Sequence, residues 1–131
     1  MIEYVTSPDD VEPADLEGFF VGWPQRPSAE RHLALLRGSS HVVLARERRR
    51  VVGFITAISD GVLSAYIPLL EVLPDFQGRG IGKELTRRLL AQLDGVYMVD
   101  LSCDEGLVPF YEPLGLMRLD AALGIRNREA V

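Results

Sequence analysis

Three glycines, Gly78, Gly80 and Gly82, fall within five residues of "FQGRGIGKELTRRLL", with two cations, Arg79 and Lys83, among them. A largely apolar run, Leu69 to Leu73, and Pro74 come just before; a helical pattern comes after. Residues of these types at such a junction suit a phosphate or pyrophosphate. Glycine lets backbone N–H groups approach a ligand with no Cβ in the way. The first turn of a helix carries unpaired donors and a partial positive charge, and Arg79 and Lys83 add full charges beside them. The named phosphate loops do not fit. A P-loop needs glycine where Gln77 stands and Ser or Thr where Glu84 stands, and a dinucleotide fingerprint needs its last glycine one residue beyond Gly82.

Other reactive side chains form no such constellation. His32 and His41 have neither metal-ligand spacing nor a cysteine cluster, so no metal site is expected. There is no G-x-S-x-G elbow. Cys103 has no histidine near it in sequence and reads as a buried strand thiol. "RERRR" (46–50) reads as a solvated hairpin tip. Trp23, in a loop with two prolines, either covers a substrate or plugs the core.

The elements that position the glycines follow from periodicity. "IEYVT" (2–6) predicts a first strand. A short helix is expected within 7–20, with Leu16, Phe19 and Phe20 as its apolar face, then a loop over 21–28. A helix from Ser28 stops at Gly38. "HVVLA" (41–45) and "VVGFITAIS" (51–59) are β-branched strands around the arginine-rich turn. Residues 61–73 form another strand, in which Pro68 marks a bulge or an outward position. Residues 80–95 place Ile81, Leu85, Leu89, Leu90 and Leu93 on one stripe, a core-facing helix ended by Gly95. A strand over 96–103, a proline-broken helix over 105–115 and a last pair of short strands, "LMRL" and "GIRN", complete the order β-α-α-β-β-β-α-β-α-β, with the last pair counted as one element.

The chain has 131 residues, 47% hydrophobic and 25% charged, which predicts one globular domain over 1–131. A net charge of −5 disfavours broad nucleic-acid affinity and anionic membrane surfaces. A single cysteine rules out an internal disulfide and fits a reducing cytosol, and the N-terminus has no signal-peptide pattern. No apolar run approaches bilayer length.

"Gln77-Gly78-Arg79-Gly80-Ile81-Gly82" matches the Q/R-x-x-G-x-G/A signature of the GCN5-related N-acetyltransferases, the GNAT superfamily. "LEVLP" resembles that family's fourth strand. "FYEPLGL" (110–116) resembles its F-Y-x-x-x-G-F element, with Leu116 in place of the usual Phe. The resemblance spans most of the chain. It implies an α/β (α+β) fold, a mixed and mostly antiparallel sheet flanked by helices, and an acetyl-CoA site. Gln77, Gly78, Arg79, Gly80, Ile81, Gly82 and Lys83 would surround the pyrophosphate. The pantetheine arm would pair like an extra strand near Leu70, Val72 and Leu73.

The implied reaction is transfer of the acetyl group to an amine. A backbone N–H near Val72 would stabilise the oxyanion. Tyr111 sits where the family's usual general acid sits; a phenol of ordinary pKa about 10 is protonated at neutral pH and can donate. Some relatives carry a base glutamate on the fourth strand, but the aligned residue here is Tyr66. Asp60 and Glu71 are the candidates acting through water, each also readable as a turn residue or an edge charge. Where the family often has Asn, this chain has Asp104, which cannot donate when ionised. The alternatives are a non-catalytic acyl-CoA-binding or sensor module of the same fold and a structural protein with an empty glycine loop. The resemblance also admits a homodimer. The acceptor is not legible.

Overall fold

The computed structural model describes residues 1–130. Its centre is a five-stranded sheet in the order β1 (Glu3–Val5), β2 (His41–Glu47), β3 (Arg50–Ser59), β4 (Ser64–Val72), β5 (Met98–Asp100). The first three pairings are antiparallel and β4–β5 is parallel, so the mixed, mostly antiparallel sheet expected from the sequence is present. Parallel pairing of β4 and β5 requires a crossover, and helix α2 (Ile81–Gln92) supplies it.

Burial explains the strand sequences. Val43, Leu44, Ala45, Val51, Val52, Phe54, Ile55 and Ala57 are all fully buried, on both faces of β2 and β3. A strand covered on both sides reads as a continuous apolar run rather than an alternation. One cover is α2, whose Ile81, Leu85 and Leu89 recur every four residues and are buried. A Cβ on Gly53 would stand 3.1 Å from Leu85 and 3.3 Å from Ile81, so that glycine is where α2 approaches the sheet. The other cover is helix α1 (Ala29–Gly38) with the segment before it. Ser28 caps α1, its Oγ accepting the Arg31 N–H at 3.2 Å.

Pro68 lies at a bulge, as its type predicts. Thr56 pairs with Leu69 and Ile58 with Tyr66, so β4 carries one residue more than β3 across this step. The β4–β5 pairing is short: Ser64, Ala65 and Tyr66 face Met98, Val99 and Asp100. Beyond Tyr66, β4 runs on to Val72 with no strand on that side among the described residues.

Several expectations need correction. The helix expected within 7–20 is a single 3-10 turn, Pro13–Leu16; Pro8 and Pro13 break the segment, and Asp15 accepts the Glu12 N–H at 2.9 Å. The strand expected over 96–103 is only β5. The closing strands "LMRL" and "GIRN" are absent among the described residues: 116–127 contains no strand. There Arg118 is drawn back to Glu105, and "DAAL" between the two pieces is poor strand material. The "RERRR" turn is more than a solvated tip. Arg46 bridges Glu3 and Asp10, and Arg49 reaches Asp15 at 3.1 Å, which ties the N-terminal segment to the β2–β3 hairpin.

Candidate active site

The glycine loop lies between the end of β4 and α2. A 3-10 turn, Pro74–Phe76, follows the strand, and Gln77 folds back so that its Nε2 donates to the Val72 carbonyl at 3.0 Å. Gly78 and Gly80 have φ of 78° and 81°, the left-handed region that favours glycine. No atom lies within 4 Å of a Cβ built on either, so the conformation and not crowding demands glycine there. Gly82 differs: a Cβ would stand 3.5 Å from Phe110 and 3.7 Å from Val72, an ordinary contact.

None of the backbone N–H groups from Gly78 to Lys83 has a hydrogen-bond acceptor among the described residues. Lys83 is exposed and without an ion pair among them. Arg79 is held above the Phe76 ring, 4.9 Å from its centroid, and donates to the Asp75 carbonyl. Glu84 follows at once, but Arg87 and Arg88 clamp its carboxylate and hold its pKa at about 2. The loop therefore presents a row of free donors and net positive charge, suited to a bound polyanion.

The free edge of β4 begins beside it. The Leu73 N–H donates to Val52 at 2.9 Å, toward β3. Because peptide groups alternate along a strand, Val72 and Leu70 turn theirs to the opposite, open side. Leu73 itself is turned away: its N–H is spent on β3 and its side chain lies under Gly18, on the α1 side. The structure thus brings Leu70, Val72 and residues 77–83 to one edge and leaves Leu73 off it.

Tyr111 lies on a one-turn helix, α3 (Val108–Tyr111). Phe110 packs against Gly82, and Tyr111 meets the Phe110 ring edge-on at 4.9 Å, which seats the phenol next to the start of α2. Burial pushes the Tyr111 pKa up, and the nearby Cys103 adds to the shift. Its hydroxyl has no hydrogen-bond partner among the described residues. Cys103 is exposed, in the segment after β5, which corrects its reading as a buried strand thiol. Asp104 is exposed and starts the 3-10 turn Glu105–Leu107 through its carbonyl, its carboxylate capping nothing.

The α1 face of β4 and the turn that precedes the strand carry the other candidates. Asp60 Oδ1 accepts the N–H groups of Val62, Leu63 and Ser64, and these bonds lower its pKa: it organises the β3–β4 turn. Glu71 accepts from Phe20 N–H at 2.9 Å and Val21 N–H at 3.3 Å. A carboxylate in the middle of "LLEVL" was the sequence signal for such a long-range bond. Tyr66 donates to Ser102 at 3.1 Å, tying β4 to the segment after β5. Ser64, Tyr66, Asp60 and Asp100 line a cleft of about 340 Å³ on this face. His32 lies away from the glycine loop and this cleft, buried against Phe19, Phe20 and Phe54. His41 pairs with Gln92.

The acetyltransferase (GNAT) domain family matches residues 9–123. This chain belongs to the GNAT superfamily. A solved structure from Deinococcus radiodurans R1 superimposes on this GNAT chain with a TM-score of 0.91 at 48% identity, covering 95% of this chain and 88% of the other. The N-acetyltransferase ycf52 of Pyropia yezoensis, uncharacterized by name, is 31% identical over 88% of this chain and 70% of its own length. The chloroplastic GCN5-related N-acetyltransferase 1 of Arabidopsis thaliana is 35% identical over 74% of this chain and 51% of its own. The GNAT match thus spans between about half and seven-tenths of these curated relatives. Among the described residues no helix is long and apolar enough to cross a membrane.

Proposed function

We propose that this chain transfers the acetyl group of acetyl-CoA to a primary amine that enters from the α1 face of β4. One observation carries the reading: among the described residues, the N–H row of Gly78 to Lys83 is unpartnered and adjoins a strand edge that no other strand covers beyond Tyr66. Donors at a helix start fit a pyrophosphate. A free edge fits an extended amide-bearing arm, which can pair with it as a strand would. The GNAT match supports acetyl-CoA as the molecule that has both.

Each residue then has a physical task. Residues 77–83 hold the phosphates, with Lys83 free to reach them. The N–H groups of Leu70 and Val72 orient the pantetheine arm and polarise the thioester carbonyl from the edge. The thioester supplies the electrophilic acetyl group. Tyr111 holds the proton that the departing sulfur needs, and the raised pKa keeps that proton on Oη at neutral pH. Tyr66 stands where a base carboxylate would, and the Asp60 and Glu71 carboxylates are engaged by backbone N–H groups. Water therefore carries off the acceptor's proton. Asp60 and Asp100 in the cleft favour a cationic amine by field rather than by contact. The exposed thiol of Cys103 supports work in a reducing compartment such as the cytosol.

The test is release of CoA thiol from acetyl-CoA with polyamines, amino acids, aminoglycosides and peptide N-termini. Amine-dependent release is expected for at least one class. Tight CoA binding by calorimetry with no release on any amine would overturn catalysis in favour of a sensor module.

A further inference from the structure

We propose that Glu71 is a positioning residue: it holds the Phe20–Trp23 turn as the acceptor-side wall of the site. The proposal rests on the acetyl-transfer reading for its consequence, and on geometry for its substance. Glu71 is half-buried on β4, between the two residues whose N–H groups face the open edge. Its two oxygens take two successive N–H groups, Phe20 at 2.9 Å and Val21 at 3.3 Å, from a segment fifty residues away.

Those two donors point the same way because Phe20 is left-handed, with φ 64°. Successive N–H groups turned onto one anion form a nest, and a nest needs a left-handed residue. For a bulky aromatic residue that backbone is an outlier and persists only where its surroundings over-determine it. The surroundings are visible. The Phe20 ring is buried against His32 and Phe54, and Gly18 and Gly22 on either side have φ of 97° and 84°. The carboxylate supplies the remaining constraint. Trp23 depends on the result, since its N–H donates to the Phe20 carbonyl at 3.2 Å and its ring meets the Phe20 ring edge-on at 5.1 Å.

Glu71 and the acceptor cleft share one face of β4. Glu71 pairs with Phe54, which packs on α1, while Tyr66 pairs with Ile58, two residues beyond Leu69's partner Thr56 on the same side of β3. One carboxylate thus fixes the wall on the acceptor side of the very strand whose edge orients the cosubstrate. With each oxygen already accepting a backbone N–H, Glu71 is assigned to the wall rather than to proton abstraction.

Trp23 is the chain's single tryptophan, so its emission reads this turn directly. The experiment compares wild type with Glu71→Gln and Glu71→Ala. In the absence of ligand, both variants are expected to show red-shifted emission and about twofold greater acrylamide quenching, Ala more than Gln, because the amide keeps one accepting oxygen. With the amine that wild type turns over fastest in the panel, KM for amine should rise about 10- to 100-fold, as for loss of a hydrogen bond to a charged group. The kcat at saturating amine, the CoA affinity and the shape of the pH profile should stay within about threefold of wild type. Unchanged Trp23 quenching in a folded Glu71→Gln protein overturns the proposal. So does a fall in kcat with loss of the acidic limb of the pH profile, which would make Glu71 the base. If wild type acetylates no amine, the acetyl-transfer reading fails, and the ligand-free quenching still decides whether Glu71 holds the turn.

Discussion

Acid should destabilise this protein through His32. The ring is 1% exposed, boxed by Phe19, Phe20 and Phe54 at centroid distances of 5.2, 4.9 and 4.4 Å, and neither ring nitrogen has a partner among the described residues. Burial lowers its pKa from 6.5 to about 4. The folded state therefore resists a proton that the unfolded chain accepts. Stability is full above the unfolded value of 6.5, falls as pH drops below it, and levels off below about 4. A difference of about 2.5 pH units corresponds to about 3 kcal/mol. Between pH 7.5 and 4.5 the loss should be about 2.5 kcal/mol, a large part of a typical 5–15 kcal/mol total. His32→Phe keeps an aromatic ring in the box and removes both the titration and the unpaired nitrogens. Urea unfolding of wild type and variant, followed by Trp23 emission at both pH values, isolates the effect, because Asp10, Asp60 and Glu84 titrate in both proteins and cancel. The variant should lose about 2.5 kcal/mol less on acidification. Equal losses, within about 0.5 kcal/mol, would show that His32 finds a partner or water in solution and refute the reasoning.

The other expectations concern the site. Tyr111→Phe should lower turnover roughly 10²–10⁴-fold and leave the melting temperature nearly unchanged, since the hydroxyl has no partner to lose; turnover within about threefold of wild type makes Tyr111 a packing residue. Gly80→Ala should weaken CoA binding in calorimetry and cost about 1–2 kcal/mol of stability from its left-handed backbone, whereas Gly82→Ala, whose Cβ meets Phe110 at 3.5 Å, should fold as well as wild type; equal effects at the two positions would contradict the assigned roles. Lys83→Ala should reduce CoA affinity at low salt, with the deficit shrinking as ionic strength rises; a deficit independent of salt points to a cause other than charge.

The sequence carried the sheet's centre because β2 and β3 are buried on both faces, which leaves unbroken β-branched runs. It carried α2 through the four-residue recurrence of Ile81, Leu85 and Leu89, and the bulge through the one residue type, Pro68, that cannot donate to a ladder. What it did not carry depends on distant partners. The 7–20 segment has helix-like apolar spacing, yet its Asp10 and Asp15 are claimed by Arg46 and Arg49 across the sheet, and its prolines stop any ladder. "LMRL" and "GIRN" have strand-forming residues, but pairing is a matter of what lies alongside, and β5 offers only three residues. Cys103 was misplaced because the length of β5 was. At the site, the glycine loop was legible because its function is written in the backbone. The engagement of Glu71 by Phe20 was not, since fifty residues of chain separate the two and only the odd carboxylate in an apolar strand hinted at it.

The extra residue at Ile67–Pro68 sets the parity of β4. In an unbroken strand, residues an odd number apart point to opposite faces; here Tyr66 and Leu69 point to the same one, because their partners Ile58 and Thr56 do. Removing one residue from this step would bring Leu70 and Val72 round to the α1 face and aim their N–H groups at β3, burying the row of donors that the open edge now offers. Glu71 would swing to the α2 face at the same time. Side-chain substitutions at 67 and 68 leave the parity intact, but a change of length does not. Evolutionary drift at this step should therefore tolerate a change of side chain, provided position 67 stays apolar for the core, but not a single insertion or deletion, a constraint on the spacing of the strand that no individual side chain in it reveals.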